Sequence, residues 1–193
     1  GPLQAGQAYT TPDVTLSVNS PQGVALVDLD GDNDVDVVAA QYASGNPVAL
    51  FENDGSGNFT SIATGLTGAV LPTEGLLVFD ADHDKKLDIF GASFTSQVGM
   101  SSLLMYGQIV GGKYTVGVTN PSMYQTLHNP GLGATAGDFD QDGWMDVAIA
   151  DTANNQIVIQ YNDGTGKYPN DAAHVKTITS PTPFTVNAMD LDN

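Results

Sequence analysis

The sequence contains no cysteine and no arginine, and only five lysines stand against 22 acidic residues. The absence of cysteine excludes disulfide bonds and cysteine-based zinc sites. A formal net charge of −17 leaves no basic cluster to neutralise phosphates, which argues against binding to nucleic acid or to an anionic membrane surface. The sequence also lacks the run of about 18 apolar residues that a membrane-spanning helix requires, so no membrane insertion is expected.

Glutamate is scarce as well, because 20 of the 22 acidic residues are aspartate. Aspartate is a poorer helix former than glutamate, and together with 22 glycines and ten prolines it is typical of turns. Short β-prone runs, such as Val24 to Val27 and Ile157 to Tyr161, lie between these turn residues. With 193 residues and 41% hydrophobic content, the chain is predicted to form one all-β domain with a core.

Three nine-residue segments carry aspartate at positions 1, 3, 5 and 9, and we number them loop 1, loop 2 and loop 3. Their sequences are DLDGDNDVD at 28–36, DADHDKKLD at 80–88 and DFDQDGWMD at 138–146. A fourth copy begins at Asp190-Leu191-Asp192, so that the four copies start 52, 58 and 52 residues apart. These segments hold 15 of the 20 aspartates, which concentrates the negative charge in the loops.

A second landmark repeats in step with the loops. It reads NDGSGNF at 53–59, which we name turn 1, and NDGTGKY at 162–168, which we name turn 3, with GGKY at 111–114 as a weaker version. Asp-Gly between apolar runs predicts tight hairpin turns, and four short strands per repeat are typical of a β-propeller blade. The predicted strands are Gly23–Val27, Val37–Gln41, Val48–Glu52 and Phe59–Ala63 in the first repeat, Gly75–Phe79, Ile89–Ser93, Ser102–Tyr106 and Lys113–Val118 in the second, and Thr135–Gly137, Val147–Ala150, Gln156–Tyr161 and His174–Thr179 in the third.

The predicted organisation is three antiparallel blades and the start of a fourth, all in one propeller domain. Residues 1–20 hold Gly1-Pro2, which is consistent with an expression-tag scar, and an outer strand; the blades follow at 21–70, 71–125 and 126–180, and a truncated blade at 181–193. Strands expected at 14–18 and 184–189 have no partner within their own blades, and unpaired edges favour association. The sequence therefore predicts a piece of a larger propeller, completed by further blades or by self-association, or else a small ring closed by these two strands.

The aspartate spacing in the three loops is that of a site for a hard cation. Ca²⁺ takes six to eight oxygen ligands, and aspartates at positions 1, 3 and 5 of a tight loop can converge on one ion. A backbone carbonyl at position 7 and the aspartate at position 9 complete the set, whereas without a cation these carboxylates repel one another. The EF-hand is the alternative, but it requires glutamate at position 12 and flanking helices. Position 12 is Ala39, Gly91 or Ile149, which excludes it.

The pattern D-x-D-x-D-x-x-x-D between two strands, followed by a turn such as turn 1, resembles the FG-GAP/VCBS repeat. This family builds calcium-binding β-propellers in integrin α-subunits and in secreted microbial proteins, and the resemblance covers residues from about 20 to 193. It implies calcium ligands at Asp28, Asp30, Asp32, Asp36 and the Asp34 carbonyl; at Asp80, Asp82, Asp84, Asp88 and the Lys86 carbonyl; and at Asp138, Asp140, Asp142, Asp146 and the Trp144 carbonyl. The family often has glycine at position 6, where Gly143 fits, Asn33 tolerates a left-handed conformation, and Lys85 departs from the pattern.

About three Ca²⁺ ions, one in each complete loop, are expected to stabilise the fold rather than to catalyse a reaction. Dependence on millimolar Ca²⁺ and the habit of the family both favour an extracellular address, either secreted or on the cell surface. The sequence contains no nucleophile elbow, zinc-protease motif or phosphate-binding loop, so the protein is not expected to be an enzyme. His83, His128 and His174 fall at unrelated repeat positions and are interpreted as surface or packing residues.

Three functions remain open at this point. The first is a calcium-stabilised interaction scaffold that takes a protein ligand in adhesion or recognition. The second is a lectin that binds a glycan between its blades. The third is a noncatalytic propeller attached to a secreted enzyme. Trp144 bears on the second, because it is expected either to stack on a sugar or to cap a neighbouring hairpin.

Overall fold

The structure is a computed structural model that describes residues 14–42, 48–64, 75–92, 102–120 and 133–189. These residues form twelve β-strands and no helix, which confirms the all-β prediction for this part of the chain. Within the same residues, there is accordingly no helix long and apolar enough to cross a membrane.

The strands form three four-stranded antiparallel sheets, and in each of them neighbouring strands follow one another in chain order. Sheet 1 contains β1 (Pro21–Val27), β2 (Asp36–Gln41), β3 (Val48–Asn53) and β4 (Phe59–Ile62). Sheet 2 contains β5 (Gly75–Phe79), β6 (Asp88–Ala92), β7 (Ser102–Val110) and β8 (Lys113–Asn120). Sheet 3 contains β9 (Ala134–Gly137), β10 (Asp146–Asp151), β11 (Gln156–Gln160) and β12 (Val175–Thr179).

The register of the first hairpin in each sheet fixes the position of its aspartate loop. The last residue of the first strand pairs with the ninth residue of the loop in all three cases: Val27 with Asp36, Phe79 with Asp88, and Gly137 with Asp146. Each loop therefore begins directly after one strand and ends on the first residue of the next. The three loops occupy equivalent places in the fold, as the sequence repeat predicts.

The core lies between the faces of successive sheets. One buried cluster joins sheets 1 and 2 and includes Leu50, Ile89 and Met105, whereas the other joins sheets 2 and 3 and includes Phe90 and Ile149. The side chains of β6 alternate between the two clusters, since successive residues of a strand point to opposite faces. The first strands β1, β5 and β9 also contact one another in that order. Sheet 2 is thus packed on both faces.

Several predicted boundaries differ from the structure. β7 runs to Val110 and β8 to Asn120, because a two-glycine turn at 111–112 lets their hairpin extend beyond the predicted ends. The segments 14–18 and 184–189 form no strand, so that both outer strands predicted there are wrong. The second of them is held by a side-chain bond instead, in which the Ala188 N–H donates to Thr135 Oγ1. The fourth copy at 190–193 lies outside the described residues, as do 1–13 and Ser93.

Candidate metal centres

In each loop, three aspartates bring carboxylate oxygens within 4.8 Å of one another. Two oxygens bound to one calcium ion at about 2.4 Å lie no more than about 4.8 Å apart, so each group has the spacing of a shared cation. The groups are Asp28, Asp30 and Asp32 in loop 1, Asp80, Asp82 and Asp88 in loop 2, and Asp138, Asp140 and Asp146 in loop 3. Position 9 joins the group in loops 2 and 3, whereas position 5 joins it in loop 1.

The remaining predicted site residues lie in the same loops but outside these groups. At position 7, the residues expected to offer a carbonyl donate their backbone N–H to the aspartate at position 5, at 2.8 Å in every loop. The donor and acceptor are Asp34 and Asp32 in loop 1, Lys86 and Asp84 in loop 2, and Trp144 and Asp142 in loop 3. Because this bond links an aspartate side chain to the backbone two residues later, it stabilises the tight turn around positions 5 to 7.

The aspartate at position 9 connects each loop to the third strand of its sheet. One carboxylate oxygen accepts a backbone N–H from position 2 of the loop, and the other accepts one from a residue in or just after the third strand. These acceptors are Asp36, bonded to Leu29 and Asn53; Asp88, bonded to Ala81 and Gly107; and Asp146, bonded to Phe139 and Asn162. The repeat pattern predicted these aspartates as ligands alone, because their second role depends on the pairing of distant segments.

The position-9 aspartates are almost completely buried, and burial of a carboxylate is unfavourable unless its charge is compensated. Burial raises the pKa of Asp88 to about 7, and it also raises the pKa of Asp146. In loop 2, which also contains Asp88, Oδ1 of Asp80 is buried and has no hydrogen-bond partner. An all-oxygen donor set with a buried, unpaired carboxylate oxygen fits a hard cation such as Ca²⁺.

Backbone conformation is shared by the three loops as well. Positions 4 and 6 have positive φ in each, at Gly31 and Asn33, at His83 and Lys85, and at Gln141 and Gly143. The repeat pattern predicted the sharp turn at position 6 but not that at position 4, because glutamine has no preference for this region. Loop 2 alone places residues other than glycine and asparagine at both positions, each of which costs on the order of 1 kcal/mol.

Loop 2 also carries its own cation. The Lys86 ammonium lies 2.5 Å from Oδ2 of Asp84. Partial burial raises the pKa of Asp84, but the hydrogen bonds from Lys86 outweigh it and lower that pKa overall. Asp84 is therefore engaged by the chain itself, which agrees with its place outside the loop 2 group.

Of the aromatic and histidine residues, Trp144 is the one expected to touch either a sugar or a neighbouring hairpin. Its ring stacks on that of His83 in loop 2, with centroids 3.9 Å apart and planes 12° from parallel. His174 lies just before β12, where Nδ1 is 2.7 Å from Oδ1 of Asp171. The side chains of His83 and His174 thus pack or pair with nearby residues, whereas His128 lies outside the described residues.

The sequence profile of the FG-GAP-like repeat matches residues 7–91 and 138–193, which is more than half of the chain. The chain belongs to the FG-GAP-like repeat family. Both matched stretches contain complete aspartate loops, and loop 2 lies in the first of them. Repeats of this family generally form noncatalytic structural or interaction modules and are typically extracellular. No curated protein matches the chain.

Proposed function

We propose that the chain is a calcium-binding, noncatalytic scaffold of an extracellular protein, built as β-propeller blades and used in adhesion or recognition. The proposal is carried by an observation that recurs in all three sheets. The loop that closes the first hairpin of each sheet gathers three carboxylates at the spacing of one cation. A chance cluster of exposed acids would not recur at the same register in three sheets. Membership of the FG-GAP-like repeat family supports the same function.

Each ion would be held by the aspartates of one loop, with the position-7 carbonyl as a further ligand. Three divalent ions reduce the formal net charge from −17 to about −11 and relieve the repulsion within the loops. Because such ions bind the folded state, they stabilise it by mass action.

Selective removal of calcium tests the proposal. Thermal unfolding is followed in Ca²⁺ and again in a calcium-selective chelator with Mg²⁺ retained, which controls for a general effect of divalent ions. We expect the melting temperature to fall by more than about 10 °C, as the loss of several kcal/mol of linkage predicts. Identical melting curves, together with no heat of Ca²⁺ binding by calorimetry, would refute calcium binding.

The loops are expected to differ in strength. Asp142→Ala should lower calcium affinity and stability more than Asp84→Ala, because Asp84 is already paired with Lys86 and its loop contains the strained Lys85. Calorimetric titration of the two variants measures this difference. Equal losses would contradict the ranking of loop 3 above loop 2.

The proposed propeller arrangement predicts what covers the exposed side chains of β1. Val24 and Leu26 on β1 are 66% and 68% exposed, although the equivalent side chains of β5 and β9 pack against the cluster of the preceding sheet. The partner that fits this face is a further sheet of the same repeat, which a second copy supplies when the chain is alone in solution. We expect association in light scattering that Leu26→Asp weakens and Val110→Asp, at a site 62% exposed, leaves unchanged. A chain that stays monomeric at every concentration would contradict this partner.

A further inference from the structure

Loop 2 and loop 3 touch each other through their side chains. His83 is the residue between two aspartates of loop 2, and its ring stacks on Trp144, which is position 7 of loop 3. The carbonyl of Trp144 is the one that the repeat pattern offers to the loop 3 cation. A change in the backbone of loop 3 at this residue therefore moves a side chain that rests on loop 2.

A buried hydrogen-bond path joins the same two loops. Asn162 donates its backbone N–H to Oδ1 of Asp146 in loop 3 and its side-chain Nδ2 to the Ala81 carbonyl in loop 2, at 2.9 Å in both cases. The N–H of Ala81 donates in turn to Oδ2 of Asp88, at 2.8 Å. Since Asn162 is only 4% exposed, water does not readily replace these bonds. The path links one member of the loop 2 group to one member of the loop 3 group.

Turn 3 packs directly on loop 2 as well. A Cβ atom placed on Gly166 would lie 2.3 Å from Cβ of Asp82, so the two backbones are in contact there. The Gly166 carbonyl also accepts a hydrogen bond from the Tyr106 hydroxyl of sheet 2. Asp82, a member of the loop 2 group, thus rests on a turn that Asn162 ties to loop 3.

The junction of loops 1 and 2 lacks these links. The residues equivalent to His83 and Trp144 are Gly31 and Lys86, which cannot stack as rings. Gly107 is the equivalent of Asn162, because its N–H donates to Asp88 as that of Asn162 donates to Asp146. Gly107 has no side chain, however, and so cannot reach loop 1. Among the described residues, no hydrogen bond or stacked ring joins loop 1 to loop 2.

We propose that calcium binding at loops 2 and 3 is positively coupled, whereas loop 1 binds its ion independently. This inference rests on the proposed calcium-binding function. An ion at loop 3 would fix Asp146 and Trp144, and through them the groups that hold Ala81, Asp82 and His83 in place. The ordering that loop 2 requires is then partly complete before its own ion binds, which gives cooperativity without a large structural change. By linkage, an ion at loop 2 must raise the calcium affinity of loop 3 by the same factor.

Repulsion between the two ions acts against this coupling. The two loops contain eight aspartates, however, at positions 80, 82, 84, 88, 138, 140, 142 and 146. Two divalent ions do not exhaust that negative charge, so their mutual repulsion remains offset within the pair of loops. We therefore expect the ordering of loop residues, and not the repulsion between the ions, to determine the sign of the coupling.

The chain supplies its own probe, because Trp144 is the only tryptophan and lies at the junction. Its fluorescence is followed as Ca²⁺ is added to chelator-treated protein, and calorimetry counts the ions bound. In the wild type we expect a Trp144 transition with a Hill coefficient above 1. Asp80→Asn, which disables position 1 of loop 2, should shift the Trp144 midpoint to at least about fivefold higher Ca²⁺. The matched change in loop 1, Asp28→Asn, should leave that midpoint in place.

Equal shifts in both variants, or no shift in either, would overturn the coupling. His83→Ala offers a second route, since it retains every candidate ligand and should bring the calorimetric Hill coefficient of the loop 2 and loop 3 ions to 1. An unchanged Hill coefficient in both His83→Ala and Asn162→Ala would also overturn it. Failure of the proposed function looks different, because the wild type would then bind no Ca²⁺ in calorimetry at all.

Discussion

Turn 1 and turn 3 share the pattern N-D-G-x-G-x-aromatic, yet the molecule uses them differently. Their internal bonds are equivalent: the N–H of Gly57 donates to Oδ1 of Asn53 at 3.2 Å, and that of Gly166 donates to Oδ1 of Asn162 at 3.0 Å. Asn162 is buried beneath loop 2, however, whereas Asn53 is half-buried and bonds the Val35 carbonyl of its own sheet. The local sequence therefore determines the conformation of the turn, and packing against the neighbouring sheet determines how much each turn residue contributes to stability.

Substitution of the second glycine of each turn should give the largest difference between the turns in the free energy of unfolding. Gly57 and Gly166 have φ of 84° and 80°, so alanine introduces the same backbone strain of about 1–2 kcal/mol at both. A Cβ atom at residue 57 meets no atom within 4 Å, whereas one at residue 166 would collide with Asp82. Overpacking adds about 1–3 kcal/mol, so Gly166→Ala should lower the free energy of unfolding by about 3 kcal/mol and Gly57→Ala by about 1. Denaturant unfolding in Ca²⁺ measures both, and equal losses would refute the contact between turn 3 and loop 2.

The asparagines should differ in the same direction but by less. Asn162→Ala removes the donor to the Ala81 carbonyl and the acceptor for Gly164 and Gly166, which leaves buried polar groups unpaired. We expect a loss of about 2–3 kcal/mol. Asn53→Ala removes comparable bonds at a position that water reaches, and about 1 kcal/mol should be lost. If the asparagine of turn 1 proved the more costly to replace, burial would not be the deciding factor.

The aspartate spacing and the turn sequences predicted the strands and the places of the loops, because both signals act within a few residues. The contacts between sheets could not be predicted in this way. Asn162 and Ala81 are 81 positions apart, and only the packing of sheet 3 on sheet 2 brings them together. For the same reason, the sequence allowed two interpretations of Trp144, and its contact with His83 supplies the neighbouring hairpin that one of them expects. The outer strands expected at 14–18 and 184–189 did not form, because their place in the repeat supplies no neighbouring strand to pair with.

Substitution of the aromatic residue that ends each turn should change the stability of the protein by a smaller amount. The Tyr168 hydroxyl donates to the Met145 carbonyl at 2.6 Å, and the ring is 1% exposed. Phe59 is half-buried at the equivalent place, where the Val35 carbonyl accepts a bond from the side chain of Asn53, as the Met145 carbonyl also does from that of Asn162 at 3.4 Å. Tyr168→Phe should therefore cost about 1 kcal/mol, the value of one buried hydrogen bond. Phe59→Tyr should change stability little, and a gain comparable to the loss at Tyr168 would show that the Val35 carbonyl has room for a second donor.

The aspartates at the second turn position should show no difference between the turns. Asp54 accepts backbone N–H bonds from Ser56 and Asn58, and Asp163 accepts them from Thr165 and Lys167, all within the turn itself. Asp54→Ala and Asp163→Ala should therefore lower the melting temperature slightly and to the same extent.

The pH dependence of these two aspartates gives the smallest effect and the strictest check. The side-chain amide of Asn58 lowers the pKa of Asp54, and bonds from Thr165 and Lys167 lower that of Asp163 although its partial burial raises it. A folded-state pKa below the unfolded value of about 3.9 contributes stability above that pH, and the contribution disappears as the pH falls through the folded-state pKa. The difference in melting temperature between wild type and either variant should thus shrink below about pH 4. A difference that persisted unchanged into acid would mean that the side chain stabilises its turn without being ionised.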